Sequence, residues 1–297
     1  MEVRMRTEKE MFDLILGVAK KDERIRAVYM NGSRTNPKAK KDIFQDYDIV
    51  YLVTETTSFI RDKHWIDVFG EGLIIQFPDE LDKIRGDEPD FDRCYGYLMQ
   101  FTDGNRIDLH IVTLDLALEE YRTDKLTITL LDKDNVLPEI PEPSDEDYWV
   151  KKPTADLYYR CCNEFYWVLL YIGKGLWRED ILYALDNLNH YVRPELFRML
   201  SWYAGILTGF SCSMGKSGKN LSKYLPENMW EGYLKTYPEA DTESVWDANL
   251  LMCELFEEAA VRVGKEFDFE YNYEEAGGCV SYMRHIRQLP KDATEII

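Results

Sequence analysis

The stretch from Val28 to Val53, VYMNGSRTNPKAKKDIFQDYDIVYLV, constrains this chain more tightly than any other. Ile25, Ala27, Val28 and Tyr29 read as a buried strand, which breaks at Asn31-Gly32-Ser33 and gives way to a polar segment carrying Pro37, Lys38, Lys40 and Lys41. A second strand follows at once. In it Asp46 and Asp48 are separated by one residue, so a period of two puts both carboxylates on one face, with Cα atoms roughly 6.6 Å apart at about 3.3 Å per residue. Tyr47 and Ile49 then turn toward the core. Two like charges this close repel each other, and burying them unpaired is costly. A bound divalent cation removes that cost.

Magnesium takes hard oxygen ligands, commonly one or two carboxylates together with substrate phosphates. The Gly32-Ser33 turn offers the other half of such a site: the glycine lets backbone approach a phosphate, and the serine supplies a hydroxyl and an N–H. The combination points to nucleoside-triphosphate chemistry.

The flanking sequence frames this unit. Thr7 with Glu10, followed by Met11, Leu14, Ile15 and Val18, predicts a capping box and an amphipathic helix ending near Lys21. Ser58 to Phe69 reads as helical, Leu73 to Phe77 as a short strand, and the charged segment Asp79 to Asp92 as a surface loop. Tyr95–Phe101 and Arg106–Thr113 form a hairpin about Asp103-Gly104, a pair suited to the positive φ of a tight turn. On its second strand Ile107, Leu109 and Ile111 alternate with Asp108 and His110, which places Asp108 on the polar face, where the sheet could bring it beside Asp46 and Asp48. Leu114 to Tyr121 reads as helical, and Leu126 to Leu131 as more apolar material. Pro138, Pro141 and Pro143 mark a stiff connection. We place a domain boundary there, with residues 1–140 before it and 145–297 after it.

Beyond the prolines the periodicity becomes helical. Lys151–Tyr171, Glu179–Tyr191, Pro194–Leu207 and Thr242–Glu266 all carry it, with Gly173-Lys174-Gly175 and Gly209 as expected stops. The last ~30 residues show no clear period and are expected to be irregular. The fold class is α+β: a mixed-sheet domain followed by a helical bundle.

A formal charge of −19 argues against a nucleic-acid surface, because phosphate contacts need a basic one. It suits a cationic substrate, whose approach an acidic cleft would steer; solubility alone would also account for it. The six cysteines show no CxxC spacing, and reduced thiols are expected. No apolar run approaches the ~20 residues that span a bilayer, and charges interrupt the N-terminus, so a cytoplasmic protein with no membrane partner is expected.

Gly32-Ser33, twelve intervening residues and Asp46-Tyr47-Asp48 resemble the signature of the nucleotidyltransferase superfamily related to DNA polymerase β. That superfamily carries a third carboxylate on a later strand, and Asp108 is its counterpart here. The segments NGSRTN, FQDYDI, DGNRIDL, LLDKD, CCNEF, LDNLN, RPELFRML and SMGK narrow the resemblance to the aminoglycoside 6-adenylyltransferases, also called streptomycin adenylyltransferases, from about Met5 to Tyr273. The resemblance implies Mg²⁺-dependent transfer of AMP from ATP to the 6-hydroxyl of streptomycin, with release of pyrophosphate and resistance to the drug. It also implies an active site between the two domains, with two Mg²⁺ ions held by Asp46, Asp48 and Asp108. Asp108 could be a metal ligand, the general base, or both.

Other residues carry expectations of their own. Gly32 and Ser33 are expected to contact phosphate, with Arg34 either assisting or, as is equally common for an arginine beside a turn, serving the structure. Lys174 could reach the triphosphate or simply offset a helix dipole. Glu164 and Asp186, acids on largely apolar helices, need a cationic partner: a substrate ammonium or guanidinium, or an internal arginine such as Arg193 or Arg198. Rival readings are nucleotidyl transfer to another acceptor, such as a protein or tRNA, and a non-catalytic nucleotide-binding protein of the same fold. The acidic balance counts against tRNA, and the adjacent acids count against lost activity. Monomer and homodimer are both compatible with the sequence.

Overall fold

The computed structural model describes residues 4–296. Helix α1 (Glu8–Lys21) starts at the expected capping box, with Thr7 and Glu10 satisfying each other's backbone N–H groups, and buries Met11, Ile15 and Ala19. Strand β1 (Ile25–Asn31) runs into the Gly32 turn, and β2 (Tyr47–Val53) returns antiparallel beside it. The segment 58–69 is not one helix. It forms a short α2 (Thr57–Arg61) and a separate 3₁₀ turn (Trp65–Phe69), because burying both Phe59 and the Ile66/Phe69 pair under the sheet requires a change of direction at Asp62-Lys63-His64.

Strand β3 (Gly72–Gln76) is followed by α3 (Pro78–Arg85), where a surface loop was expected. Pro78 opens the helix, Asp79 and Glu80 lie in its first turn, Lys83 and Arg85 in its last, and Gly86 closes it in the left-handed conformation. Each of these signals favours a helix, and together they outweigh the low apolar content. The hairpin β4 (Cys94–Phe101) and β5 (Arg106–Thr113) follows as expected, with Gly104 at φ +89. Then come α4 (Leu114–Glu120) and β6 (Thr127–Asp132).

The six strands form one sheet in the order β3-β4-β5-β2-β1-β6. All neighbours are antiparallel except β2 and β5, which run parallel. One face packs Tyr47, Ile49, Tyr51, Ile107, Leu109 and Ile111 against α1 and the 57–69 segment; the other packs Tyr29, Val50 and Leu52 against Ala117 and Tyr121. With both faces covered, the polar ends of the central strands are where chemistry can reach solvent.

The chain divides into two compact units, Met1–Asp147 and Tyr148–Ile297. The second is helical: α5 (Ala155–Trp177), α6 (Ile181–Asn187), a π-helical turn (Leu188–Val192), α7 (Arg193–Leu207), α8 (Glu227–Lys235), α9 (Thr242–Phe267) and α10 (Tyr273–Gln288). Phe165 of α5 stacks on Phe256 of α9 with ring centroids 3.9 Å apart, at the middle of the core.

Two expectations fail here for one reason. Gly173 and Gly175 do not stop α5, which runs on to Trp177. A Cβ at Gly173 would lie 2.6 Å from Met283 Sδ of α10, and one at Gly175 would lie 2.8 Å from the Tyr183 ring of α6. The glycines admit neighbouring helices rather than end their own. The last ~30 residues are likewise not irregular. Asn272 caps α10 by accepting from Glu275 N, and the helix buries Ala276, Met283 and Ile286. Gly277 and Gly278 are exposed, and their intrinsic penalty of ~1 kcal/mol each relative to alanine is outweighed by that packing. All six cysteines are free thiols. Among the described residues no helix is long and apolar enough to cross a membrane.

Candidate active site

Parallel pairing of β2 with β5 sets Asp48 directly opposite Asp108, and antiparallel pairing with β1 sets Asn31 opposite Asp48. Asp46 stands two residues before Asp48, at the entry to β2. The alternation that sends Tyr47 and Ile49 inward leaves the acids half-buried on the other side. One carboxylate oxygen from each of Asp46, Asp48 and Asp108 lies within 4.8 Å of the others, a spacing that one ion can bridge.

The turn above them is shaped to admit this cluster. Gly32 holds φ +78, and a Cβ there would collide with Asp48 Oδ2. Glycine is therefore required twice, by conformation and by space. Ser33 follows; its carbonyl and its Oγ each lie 3.4 Å from Gln45 Nε2, a long contact that ties the turn loosely to the start of β2. Gln45 Oε1 is buried and has no partner among the described residues.

Arg34 is committed to the protein itself. Its Nε donates to the Asp46 carbonyl at 2.9 Å, its Nη2 to the Gln45 carbonyl at 2.7 Å and its Nη1 to Glu8 at 3.2 Å. The guanidinium also lies 3.7 Å from the centre of the Tyr47 ring. In this arrangement it fixes the backbone on which Asp46 is mounted. Lys38 pairs with Asp145 at 2.9 Å and Lys41 approaches Glu8 at 3.6 Å.

Electrostatics single out Asp48. Burial, followed by the charges of Asp46 and Asp108, pushes its carboxyl up to about 6, against the opposing pull of Arg106 and Arg34. An acid displaced by burial and by neighbouring acids, set in a cluster of this kind, is a candidate for a functional role. Arg106 supplies the partial balance, and sequence reasoning passed over it. Its Nε and Nη2 each bond an oxygen of Asp108 at 2.7 Å, and Nε lies 3.6 Å from Asp46 Oδ2. The signal was present: Arg106 precedes Asp108 by two residues on one strand and so shares its face.

The expected residues of the helical unit fall in different settings. Glu164 is half-buried on α5 and makes no hydrogen bond or ion pair among the described residues. Asp186 is exposed on α6, with His190 Nε2 at 3.6 Å. Neither takes Arg193 or Arg198 as partner. Arg193 bonds Thr236 and Asn189, and Arg198 joins Arg160 on the buried Glu195. Lys174 lies in the last turn of α5, its ammonium 4.6 Å from the Tyr171 ring centre.

Comparison with known proteins finds relatives over nearly the whole chain. The sequence model of the streptomycin adenylyltransferase family matches residues 5–286. An aminoglycoside 6-adenylyltransferase from Campylobacter jejuni is 43% identical over 90% of this chain and 91% of its own length. Those from Staphylococcus aureus and Bacillus subtilis are each 39% identical, over 91% of this chain and 95% of their own. A solved structure of an aminoglycoside 6-adenyltransferase from Bacillus subtilis aligns at 34% identity and a TM-score of 0.48, covering 96% of this chain and 100% of that one. The chain therefore belongs to the streptomycin adenylyltransferase family, whose relatives here are aminoglycoside 6-adenylyltransferases.

Proposed function

We propose that this chain adenylylates an aminoglycoside: it transfers AMP from ATP to the 6-hydroxyl of streptomycin and releases pyrophosphate, which inactivates the drug. One observation carries the reading. Asp46, Asp48 and Asp108 present oxygens within 4.8 Å of one another, beneath a positive-φ glycine turn that can receive phosphate.

This donor set fits Mg²⁺, since it is all oxygen, hard and anionic, and burial together with the charges of Asp46 and Asp108 raises the Asp48 carboxyl. The three aspartates would hold the ion, which when bound supplies neutralising charge at the phosphates and lowers the pKa of an attacking hydroxyl. The remaining work falls to the chain. Gly32 presents bare backbone, Ser33 offers its N–H and Oγ to a phosphate oxygen, and Arg34 keeps Asp46 in register through two carbonyls. Glu164, half-buried and without a partner among the described residues, is the carboxylate of the helical unit that we assign to a guanidinium of the drug, with exposed Asp186 as a weaker second. The net charge of −19 favours the approach of such a cation.

The test is pyrophosphate release from ATP and Mg²⁺ across a panel of aminoglycosides, with the native chain and Asp48→Asn run side by side. Release with streptomycin that the variant lacks is the expected result. Silence over the whole panel would remove aminoglycosides as acceptors.

A further inference from the structure

Arg106 stands between Asp46 and Asp108, two of the three acids that the reading above gives to a metal ion. It engages both oxygens of Asp108 at 2.7 Å in a planar fork and reaches Asp46 Oδ2 at 3.6 Å. A guanidinium bound in this way uses the in-plane lone pairs of both Asp108 oxygens, which are the ones a cation in the plane of the carboxylate would take. We propose that Arg106 is a stand-in cation: it holds the metal-free cluster together, competes with the divalent ion for Asp108, and swings off Asp108 when that ion binds. This inference rests on the assignment of Asp46, Asp48 and Asp108 as metal ligands.

The surroundings of Arg106 are those of a movable group. Its side chain is 43% exposed, against 17% for Asp108, so it approaches the acid from the solvent side and has open space to retreat into. Among the described residues its side chain is held only by the two aspartates. Arg34, whose Nε reaches the Asp46 carbonyl at 2.9 Å, shows the alternative. It is 10% exposed, donates to two backbone carbonyls and Glu8, and stacks on Tyr47. Arg34 is built into the frame, whereas Arg106 is attached only to the groups a metal would claim. A dication entering the cluster would also repel a guanidinium held within a few ångströms of it, which makes coexistence on Asp108 unfavourable.

Competition and mere positioning predict opposite signs. Were Arg106 there only to orient Asp108, its removal would weaken metal binding. As a competitor, its removal strengthens it. The experiment is titration of the full-length chain with Mn²⁺ alone, at neutral pH and without nucleotide, following free Mn²⁺ by electron paramagnetic resonance. Arg106→Gln is expected to bind Mn²⁺ about tenfold more tightly than the native chain. Arg106→Lys, which keeps a charge but loses the fork, is expected to fall between them. Asp48→Asn serves as the marker of the site and is expected to abolish the binding. Unchanged or weaker Mn²⁺ affinity in Arg106→Gln, with the native chain still binding in an Asp48-dependent way, would overturn the proposal and leave the metal site standing. Absence of any Asp48-dependent Mn²⁺ binding, in the native chain and in Arg106→Gln alike, would sink the metal site and this inference together.

Discussion

Two aspartates of the sheet unit, Asp103 and Asp48, meet the loss of water in opposite ways. Asp103 sits in the β4–β5 turn, where burial pushes its carboxyl up but hydrogen bonds from Arg6 and Asn105 outweigh it and hold the group well below the usual carboxylate range. Its oxygens accept from Arg6 N, Nε and Nη2, and from Asn105 N and Nδ2. Asp48, near the same end of the sheet because it pairs with Asp108 just past that turn, receives no such set among the described residues and is pushed up to about 6. The first acid is answered entirely from within the chain, and it clips the segment before α1 to the hairpin. The second is left with two more acids beside it. The chain gives Asp103 a full set of donors and Asp48 none of that kind, and under the proposed reading that difference is what a bound cation would make up.

Exchange of the two acids separates these roles. Asp48→Asn is expected to reduce adenylyl transfer by about 10³-fold or more in kcat, with the folded state retained by circular dichroism; a variant that keeps more than a tenth of native turnover would remove Asp48 from the reaction. Asp103→Ala is expected to do the reverse. It strands the Arg6 guanidinium, which is partly buried, and should cost roughly 2–4 kcal/mol in urea unfolding while kcat stays close to native at temperatures where the variant is folded. A loss of turnover without loss of stability would show that the turn, too, acts on the site.

The contrast was only half legible in the sequence. The alternation of Asp46 with Tyr47, and of Asp108 with Ile107 and Leu109, fixed which face each acid would take, because a period of two leaves no choice once the apolar residues are buried. The capping box at Thr7 and Glu10 was equally plain, since it is local. What escaped reading depends on partners distant in the chain. Gly173 and Gly175 look like stops until Met283 and Tyr183 are seen against them. Helix α10 carries two glycines that speak against it, and its reason for forming is the packing of Ala276, Met283 and Ile286. Arg34 shows the same limit in the site: beside a glycine turn the sequence leaves a phosphate contact and a structural role equally open, and only the fold shows its donors facing the Gln45 and Asp46 carbonyls. Asp103 is another case, for nothing within the hairpin announces Arg6 as its partner.

Gly32 joins the two halves of the comparison, because it lets the turn pass over Asp48. Gly32→Ala forces a Cβ into Asp48 Oδ2 at φ +78, and the carboxylate or the turn must move. We expect a loss of roughly 1–2 kcal/mol in stability and a fall in kcat at least tenfold greater than any change in aminoglycoside KM. Equal effects on both would place the turn at the drug rather than at the phosphate.

The smallest effect is also the most direct measure of the imbalance. Because the folded state raises the Asp48 carboxyl from its ordinary range to about 6, the native chain binds more protons than the unfolded chain between about pH 4 and pH 6. Stability of the metal-free protein should therefore fall as pH rises through that window, by roughly 1–2 kcal/mol once partial solvent screening is allowed for. Asp103 contributes the opposite slope, its stabilisation being present above the ordinary carboxylate range and lost only in stronger acid, so the two separate along the pH axis. In Asp48→Asn the decline should vanish, leaving the metal-free variant more stable than the native chain above pH 6 and equal to it near pH 4. Added Mg²⁺ should restore the native chain at the higher pH and leave the variant unmoved, since the charge that costs stability in the empty cluster is the one that binds the ion. A flat native profile, or a variant that melts below the native chain at every pH, would show that Arg106 alone already balances the three acids.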